Sequence, residues 1–255
     1  TDVIQNAIND CPVNQVVYLP AGTYPITSAL EIRKGIVLRG AGPDKTKIVY
    51  SGIVDNNSRP VIVIGGAGNY DDNTAVSVLS GFTKGSTSIV VSNASTFKTG
   101  DVVLLDQLDD ANVPTGNCSW YKRKDSNGNA RSIGQVVEIA GKSGNTLTLA
   151  TPLHWTFSAS LSPQLVLPGN WVGPPTNAVL GTIKYAGVED LYVSMGLGSN
   201  ITMVFAAYCW IKNVESYMCA GRSITMQTCY RSVLRDSYIH DSPFYYTGGG
   251  SYGLA

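Results

Sequence analysis

The chain has 255 residues, with 18 lysines and arginines against 18 acidic residues, so its formal net charge is zero. No global field therefore draws it to nucleic acid or to an anionic membrane surface. The longest apolar run, residues 201–211, is too short to span a bilayer and is broken by Thr202, while the length allows a sizeable core in one domain or two.

From the N-terminus, residues 2–10 are predicted to form an amphipathic helix. Thr1 or Asp2 can cap it, Val3, Ile4, Ala7 and Ile8 make its apolar face, and Pro12 stops it. Short strands separated by proline and glycine turns follow at 16–24, 30–32 and 36–42. Residues 75–160 carry strands of alternating or apolar type at 88–91, 101–105, 135–139 and 146–149, with turn residues at Gly85 and Gly144-Asn145. This block is expected to be a small antiparallel β barrel or sandwich. Its long polar loop, 106–132, holds Asp109-Asp110, Trp120-Tyr121 and Lys122-Arg123-Lys124, and loops of that length inside a domain are usually functional or mobile. Pro168, Pro174 and Pro175, with Gly169 and Trp171, mark the return to the outer part of the fold. The predicted division is 1–74, 75–160 and 161–255.

The decisive pattern lies in the last segment. Val188, Ile211 and Leu234 are spaced 23 residues apart, and each opens the same motif. Charge follows at Glu189, Lys212 and Arg235, and Asp190, Asn213 and Asp236 come next. A fixed period in this range marks a stacked-repeat architecture. One such segment cannot bury its apolar side alone, but stacked coils cover one another. A 23-residue coil leaves room for three short strands and three bends. The Asp/Asn column belongs at a bend, where a short polar side chain bonds nearby backbone and reaches the next coil. Matching residues are then neighbours in space, with Ile211 sandwiched between Val188 and Leu234. The terminal coil of a solenoid needs a lid, which the N-terminal helix supplies. The Gly-rich segment 245–255 enters another strand with no cap after it, so a continuation or a partner chain is expected at that open coil.

The segments Ile4-Gln5-x-Ala7-Ile8, Cys11-Pro12, VVYLPAGTY at 16–24 and IVLRGAG at 36–42 resemble the N-terminal signature of the pectate-lyase-like (pectin-lyase-like) superfamily. The resemblance covers residues 1–66 by these motifs and 180–247 by the repeat. It implies an all-β, right-handed parallel β-helix with an N-terminal capping helix, here carrying the inserted module. It also implies a linear polysaccharide lying across an exposed strand face, where successive coils present side chains at intervals of about 4.8 Å. Lyases of uronate polymers need a base for the C5 proton and a cation, Ca²⁺ or a basic side chain, to neutralise the carboxylate; hydrolases need two carboxylates.

Candidate catalytic residues are Arg235, Asp236, His240 and Asp241, the densest group of titratable types in the chain. His240 is a candidate acid or base and Asp241 its partner or a Ca²⁺ ligand; Asp236 as bend residue and Asp241 as turn cap are the structural alternatives. Lys212 and Arg235 can hold an acidic sugar, or form a solvated ion row with Glu189. Candidate substrate-binding residues are Lys212, Trp210, Tyr238, Tyr245 and Trp120, the aromatics by stacking on sugar faces. Asp109-Asp110 can bind Ca²⁺ or lie solvated. Of the cysteines, Cys209, Cys219 and Cys229 are expected as buried thiols inside the coil, and no nucleotide, GxSxG or HExxH signature occurs.

Sparse charge with 14 tyrosines is typical of extracellular β proteins, and a chain beginning at Thr1 rather than Met leaves room for a removed leader. The expected function is that of an extracellular or secreted carbohydrate-active protein, a polysaccharide lyase or glycoside hydrolase. The alternative is a non-catalytic surface or fibre protein of tailspike or adhesin type.

Overall fold

The computed structural model describes residues 1–52, 60–65, 69–110, 123–169, 181–243 and 252–255. The chain separates into two compact units, one made of Thr1–Gly66 and Thr182–Ala255, the other of Ala67–Gly181.

The first unit opens with helix α1 (Asp2–Asp10). Its buried residue is Ile8, with Ile4 and Gln5 half-buried; Val3 points to solvent at 84 % exposure, so the apolar face is narrower than the sequence implied. Thr1 does not cap the helix through its side chain; its hydroxyl accepts from the Thr27 amide instead.

Two coils of short strands follow: β1 (Val16–Tyr18), β2 (Gly22–Ile26) and β3 (Leu30–Ile32), then β4 (Val37–Arg39), β5 (Thr46–Tyr50) and β6 (Pro60–Gly65). Beyond the second unit come β13 (Ile183–Lys184), β14 (Gly187–Ser194), β15 (Ser199–Ala207), β16 (Trp210–Tyr217), β17 (Arg222–Tyr230), β18 (Val233–Arg235), β19 (Tyr238–His240) and β20 (Tyr252–Leu254). They form two parallel sheets. One runs β1-β4-β14-β16-β18, with β2-β5 and β19 alongside; the other runs β3-β6-β15-β17-β20. Coil stacks on coil in register: Leu38 on Val188, Val188 on Ile211, Ile211 on Leu234. The sandwiching of Ile211 expected from the repeat is thus present. Stacking also continues across the intervening unit, since β4 and β5 pair with β14 and β6 pairs with β15.

The repeat explains its own geometry. Val188, Leu191 and Val193 are all fully buried, yet a straight strand turns residues three apart to opposite faces. Asp190 resolves this with φ of 56°, a left-handed kink that returns Leu191 to the interior. The same kink recurs through the later coils: Asp190, Asn213 and Asp236; Tyr185, Tyr208 and Arg231; Met195, Met218 and Asp241; and, in two of them, Phe205 and Thr228. The third coil therefore bends at four left-handed positions rather than three. Asp and Asn adopt this conformation readily, whereas a bulky residue costs about 1–2 kcal/mol. Burial offsets the cost, at about 1.5–3 kcal/mol per fully buried Val, Leu or Ile. Cys209 and Cys219 are buried thiols and Cys229 a half-buried one. Burial pushes Cys209 up to about 11 and Cys229 up to about 12, leaving them unreactive. Cys118 lies outside the described residues.

In the last coil the inner residues are less covered. Leu234 and Ile239 are half-buried where Val188, Ile211 and Val193 are fully buried, and Leu254 is exposed.

The second unit contains β7 (Tyr70–Ser80), β8 (Ser88–Val91), β9 (Val102–Gln107), β10 (Ile133–Ser143), β11 (Thr146–Leu149) and β12 (Gln164–Pro168). They close into an antiparallel barrel in the order β10-β11-β8-β7-β12-β9, a barrel rather than a sandwich. Alternating residues such as Ile89/Val91, Val103/Leu105, Val137/Ile139 and Leu147/Leu149 fill it, closed by Phe97 and Phe157. The flanking strands β7 and β12 are the two that sequence reading did not pick out.

The long loop is tied to the barrel by charge. Asp106 is fully buried; Arg131 Nη1 donates to it at 3.0 Å and Arg123 Nη1 lies 2.9 Å from its other oxygen, as an ion pair without hydrogen-bond alignment. Arg123 also pairs with Asp72, and Arg131 with Asp125 at 3.2 Å. Among the described residues no helix is long and apolar enough to cross a membrane.

Candidate functional site

One face of the sheet containing β14, β16 and β19 carries a cluster of titratable and aromatic side chains. Residues that alternate with the buried Val193 and Ser216 and the half-buried Ile239 lie on this face, where Ser194 is covered by its neighbours, and stacking turns them into columns. Lys47, Tyr192, Glu215 and Tyr238 form one column; Ser194, Tyr217 and His240 form the next.

His240 is the centre. Its Nε2 lies 3.0 Å from Glu215 Oε1 and its Nδ1 lies 3.2 Å from Asp241 Oδ2. Tyr238 stacks on the imidazole at 4.1 Å between centroids and 15° between planes, and Tyr217 leans on it at 5.0 Å. Tyr192 continues the aromatic row at 6.0 Å from Tyr217, with Lys47 Nζ 5.5 Å from its ring. Burial of the ring works against the charged imidazolium, but hydrogen bonds and negative charge from Glu215 and Asp241 outweigh it. The pKa of His240 therefore stands above its ordinary value of 6.5. In the charged form both nitrogens donate, one to each carboxylate. Burial raises the Tyr192 phenol above its ordinary value, against a lowering hydrogen bond with Ser194, and the Glu215 charge adds to the rise.

Chemically, this is an imidazole whose charged form is favoured by two carboxylates and which is framed by three tyrosines. It can give a proton to a leaving oxygen or neutralise an acidic group. The imidazole fills the space between Glu215 and Asp241, so those carboxylates do not flank an open slot of the kind a two-carboxylate hydrolase needs.

The other sequence candidates divide. Tyr238, His240 and Asp241 are brought together. Arg235 and Asp236 sit earlier in the same coil and pair with each other at 3.6 Å, both exposed; Asp236 is the left-handed bend residue. Lys212 stands between Glu189 and Arg235 in their column. That column is no solvated ion row at its first members: Glu189 is buried and accepts from Arg39 at 2.5 Å and from Trp210 Nε1 at 2.8 Å. Trp210 is half-buried over Gly187, where a Cβ would come 2.2 Å from its ring. Its indole is thus engaged within the coil rather than projecting freely. Tyr245 and Trp120 lie outside the described residues. Glu215, Tyr217 and Tyr192 were not singled out from sequence, although subtracting 23 from Tyr238 and His240 leads to Glu215 and Tyr217.

No described group of three or more His, Cys, Asp and Glu side chains can hold a metal ion. The Asp109 carboxylate accepts from the Ser132 amide and hydroxyl. The described residues do not fit a Ca²⁺ site.

Residues 1–96 match the family described as rhamnogalacturonase A/epimerase, pectate lyase-like. Among solved structures, the chain is similar to the tailspike gp61 of Pseudomonas phage phi297, with TM-score 0.57 and 16% identity. It is also similar to the tailspike gp49 of Pseudomonas phage LKA1, with TM-score 0.51 and 14% identity. The chain carries the pectate-lyase-like parallel β-helix fold. Each alignment covers 92% of this β-helix chain and 39% of the tailspike, so the chain spans about two fifths of those proteins' length. A less similar structure, at TM-score 0.46 and 13% identity over 95% of this chain and 47% of its own, is the gp54 tailspike of Acinetobacter baumannii bacteriophage AP22 in complex with capsular saccharide. No curated protein matches this chain.

Proposed function

We propose that this protein is an extracellular, carbohydrate-active β-helix that binds a linear acidic polysaccharide along the outer face of β14, β16 and β19, and cleaves it as a lyase or hydrolase. The observation that carries this reading is the His240 cluster: an imidazole raised in pKa between Glu215 and Asp241, flanked by Tyr192, Tyr217 and Tyr238. The tyrosines offer flat apolar faces for sugar rings. Lys47, Lys212 and Arg235 supply positive charge for uronate carboxylates. His240 turns one N–H from its carboxylate to the leaving glycosidic oxygen and gives it that proton; the carboxylate so freed, Glu215 or Asp241, takes the C5 proton in a lyase step or a proton from the attacking water in a hydrolytic one. In this reading the fold is a right-handed coil and α1 caps its first turn. Gln5 supports that role, because its side chain both donates to and accepts from the Glu31 backbone at the edge strand β3.

The experiment is a polysaccharide panel read by new reducing ends and by the ultraviolet absorbance of unsaturated uronates, with His240→Ala beside the unaltered protein. Turnover that His240→Ala removes supports the reading; turnover unaffected by it overturns the site. One observation favours the second reading, a non-catalytic protein of tailspike or adhesin type: the imidazole occupies the gap between the carboxylates. Glycan retention without any bond cleavage would select it.

A further inference from the structure

The corner of the coil that precedes β14 and β16 holds a second feature. Tyr185, Tyr208 and Arg231 occupy one 23-residue column, and all three are left-handed, with φ of 58°, 56° and 50°. The next corner along the same strands solves the same bend with Asp190, Asn213 and Asp236, residue types that tolerate it. The chain thus uses large, strained residues at this corner, as it also does at Met195, Met218 and Phe205, where small polar ones serve at the Asp190 corner. Strain of this kind, retained with a cheaper choice at hand, points to a role for the side chain.

Those side chains make a platform. The Tyr185 and Tyr208 rings stack at 5.4 Å and 16°, and Tyr230 meets Tyr208 edge-on at 5.8 Å. Lys184 Nζ stands 5.8 Å from the centre of the Tyr208 ring, and the Arg231 guanidinium 5.4 Å from that of Tyr230. Tyr185 ends the stack and is 55 % exposed. Below it, toward the preceding coil, stands Gly35, where a Cβ would come 2.6 Å from the Lys184 carbonyl. That position carries no side chain to cover the tyrosine. The result is a flat aromatic surface over a glycine step, rimmed by cationic groups.

We propose that Tyr185 is a second saccharide-binding subsite, taking one acidic sugar residue stacked on its ring with the carboxylate directed to Lys184. This rests on the polysaccharide reading of the His240 face, which it extends to the neighbouring corner. An acidic glycan is favoured over an apolar partner because the rim is positive and the exposed surface is one ring wide. The Tyr192, Tyr217 and Tyr238 row requires no left-handed strain at those residues, so the two features are independent.

The test is affinity electrophoresis of the full chain in gels containing alginate, polygalacturonate, hyaluronan or neutral dextran, paired with thermal unfolding. Tyr185→Asn relieves the strain, so it is expected to leave the melting temperature unchanged or higher while weakening acidic-glycan affinity about tenfold. Tyr185→Phe, which keeps the ring, is expected to retain affinity. Lys184→Gln is expected to weaken binding to acidic glycans alone and to flatten its salt dependence. Tyr185→Asn that binds as tightly as the unaltered protein overturns the subsite, and so does Tyr185→Asn that melts well below it, because the ring is then a structural stack. Dextran retained as tightly as alginate overturns the acidic class. Unaltered protein that binds a glycan through His240 and not through Tyr185 refutes this inference alone; unaltered protein that binds no glycan refutes both.

Discussion

Asn213 Nδ2 donates a hydrogen bond of 2.8 Å to Asp190 Oδ1, one coil apart and at the same left-handed bend. Asp190 thus serves as bend residue and as anchor for the coil above, so this bond ties bend to bend in a direction that backbone pairing does not cover.

Separating these two jobs gives the first prediction. Asn213→Gly keeps the conformation at φ 50° and loses only the side-chain bond, so it should cost about 1 kcal/mol. Asn213→Ala loses the bond and must hold a Cβ in the left-handed region, for a total of about 2–3 kcal/mol. Urea unfolding measures both. Equal losses for the two variants would show that bend strain contributes nothing.

Gly187 and Trp210 give the second. A Cβ at Gly187 would meet the Trp210 ring at 2.2 Å, so Gly187→Ala must displace the indole and break its 2.8 Å bond to the buried Glu189. A loss of about 2–3 kcal/mol is expected, from overpacking and an under-satisfied buried carboxylate. Gly141→Ala on the barrel is the control: its new Cβ makes only ordinary contacts, nearest 3.6 Å, and should stay within about 0.5 kcal/mol. Tryptophan emission should shift to the red in Gly187→Ala and not in the control.

That pair also shows what was legible in the sequence. The repeat of Val188, Ile211 and Leu234 revealed stacking because later coils share one length. It also contained the His240 neighbours, since Glu215 and Tyr217 lie one coil before Tyr238 and His240. The direction of Trp210 was hidden, because it depends on the missing side chain of Gly187 one coil away. The stacking of β4 and β5 on β14 was hidden too. Between Leu38 and Ile48 the chain spends more residues than between Val188 and Val193, their partners, so no fixed spacing links them. Strands β7 and β12 escaped because their register shifts at bulges break the two-residue alternation.

The His240 cluster gives a prediction in pH. The folded pKa lies above the ordinary 6.5 through Glu215 and Asp241, against the effect of burial. Stability from this cluster is therefore fully present below pH 6.5, the unfolded value, and is lost as pH rises through the folded pKa. Carbon-bound proton resonances of the imidazole report the titration directly. Glu215→Gln removes the nearer carboxylate, at 3.0 Å, and should lower the His240 pKa, with Asp241→Asn acting in the same direction. An unchanged titration in both variants would mean that neither carboxylate holds the imidazolium.

Asp106 gives the opposite kind of test, inside the barrel unit. Its burial raises the carboxyl from 3.8 to about 6, outweighing the lowering effects of Arg123 and Arg131. A folded pKa above the unfolded one means that the folded state keeps a proton the unfolded state has released. The corresponding stability is complete below pH 3.8 and is lost as pH climbs through about 6, a change of ~3 kcal/mol. Asp125, whose carboxyl is lowered, slopes the other way, so the comparison must be with Asp106→Asn, which cannot ionise. Relative to that variant, the unaltered protein should lose stability between pH 4 and pH 7, and the Asp106 carboxyl carbon should titrate near pH 6. The contest is between the cost of dehydrating a fully buried carboxylate and the attraction of two guanidiniums at 2.9 and 3.0 Å. A carboxyl that titrates below its ordinary value, with stability rising relative to the variant over the same range, would mean that the two arginines win and that Asp106 is a permanent anion holding the long loop to β9.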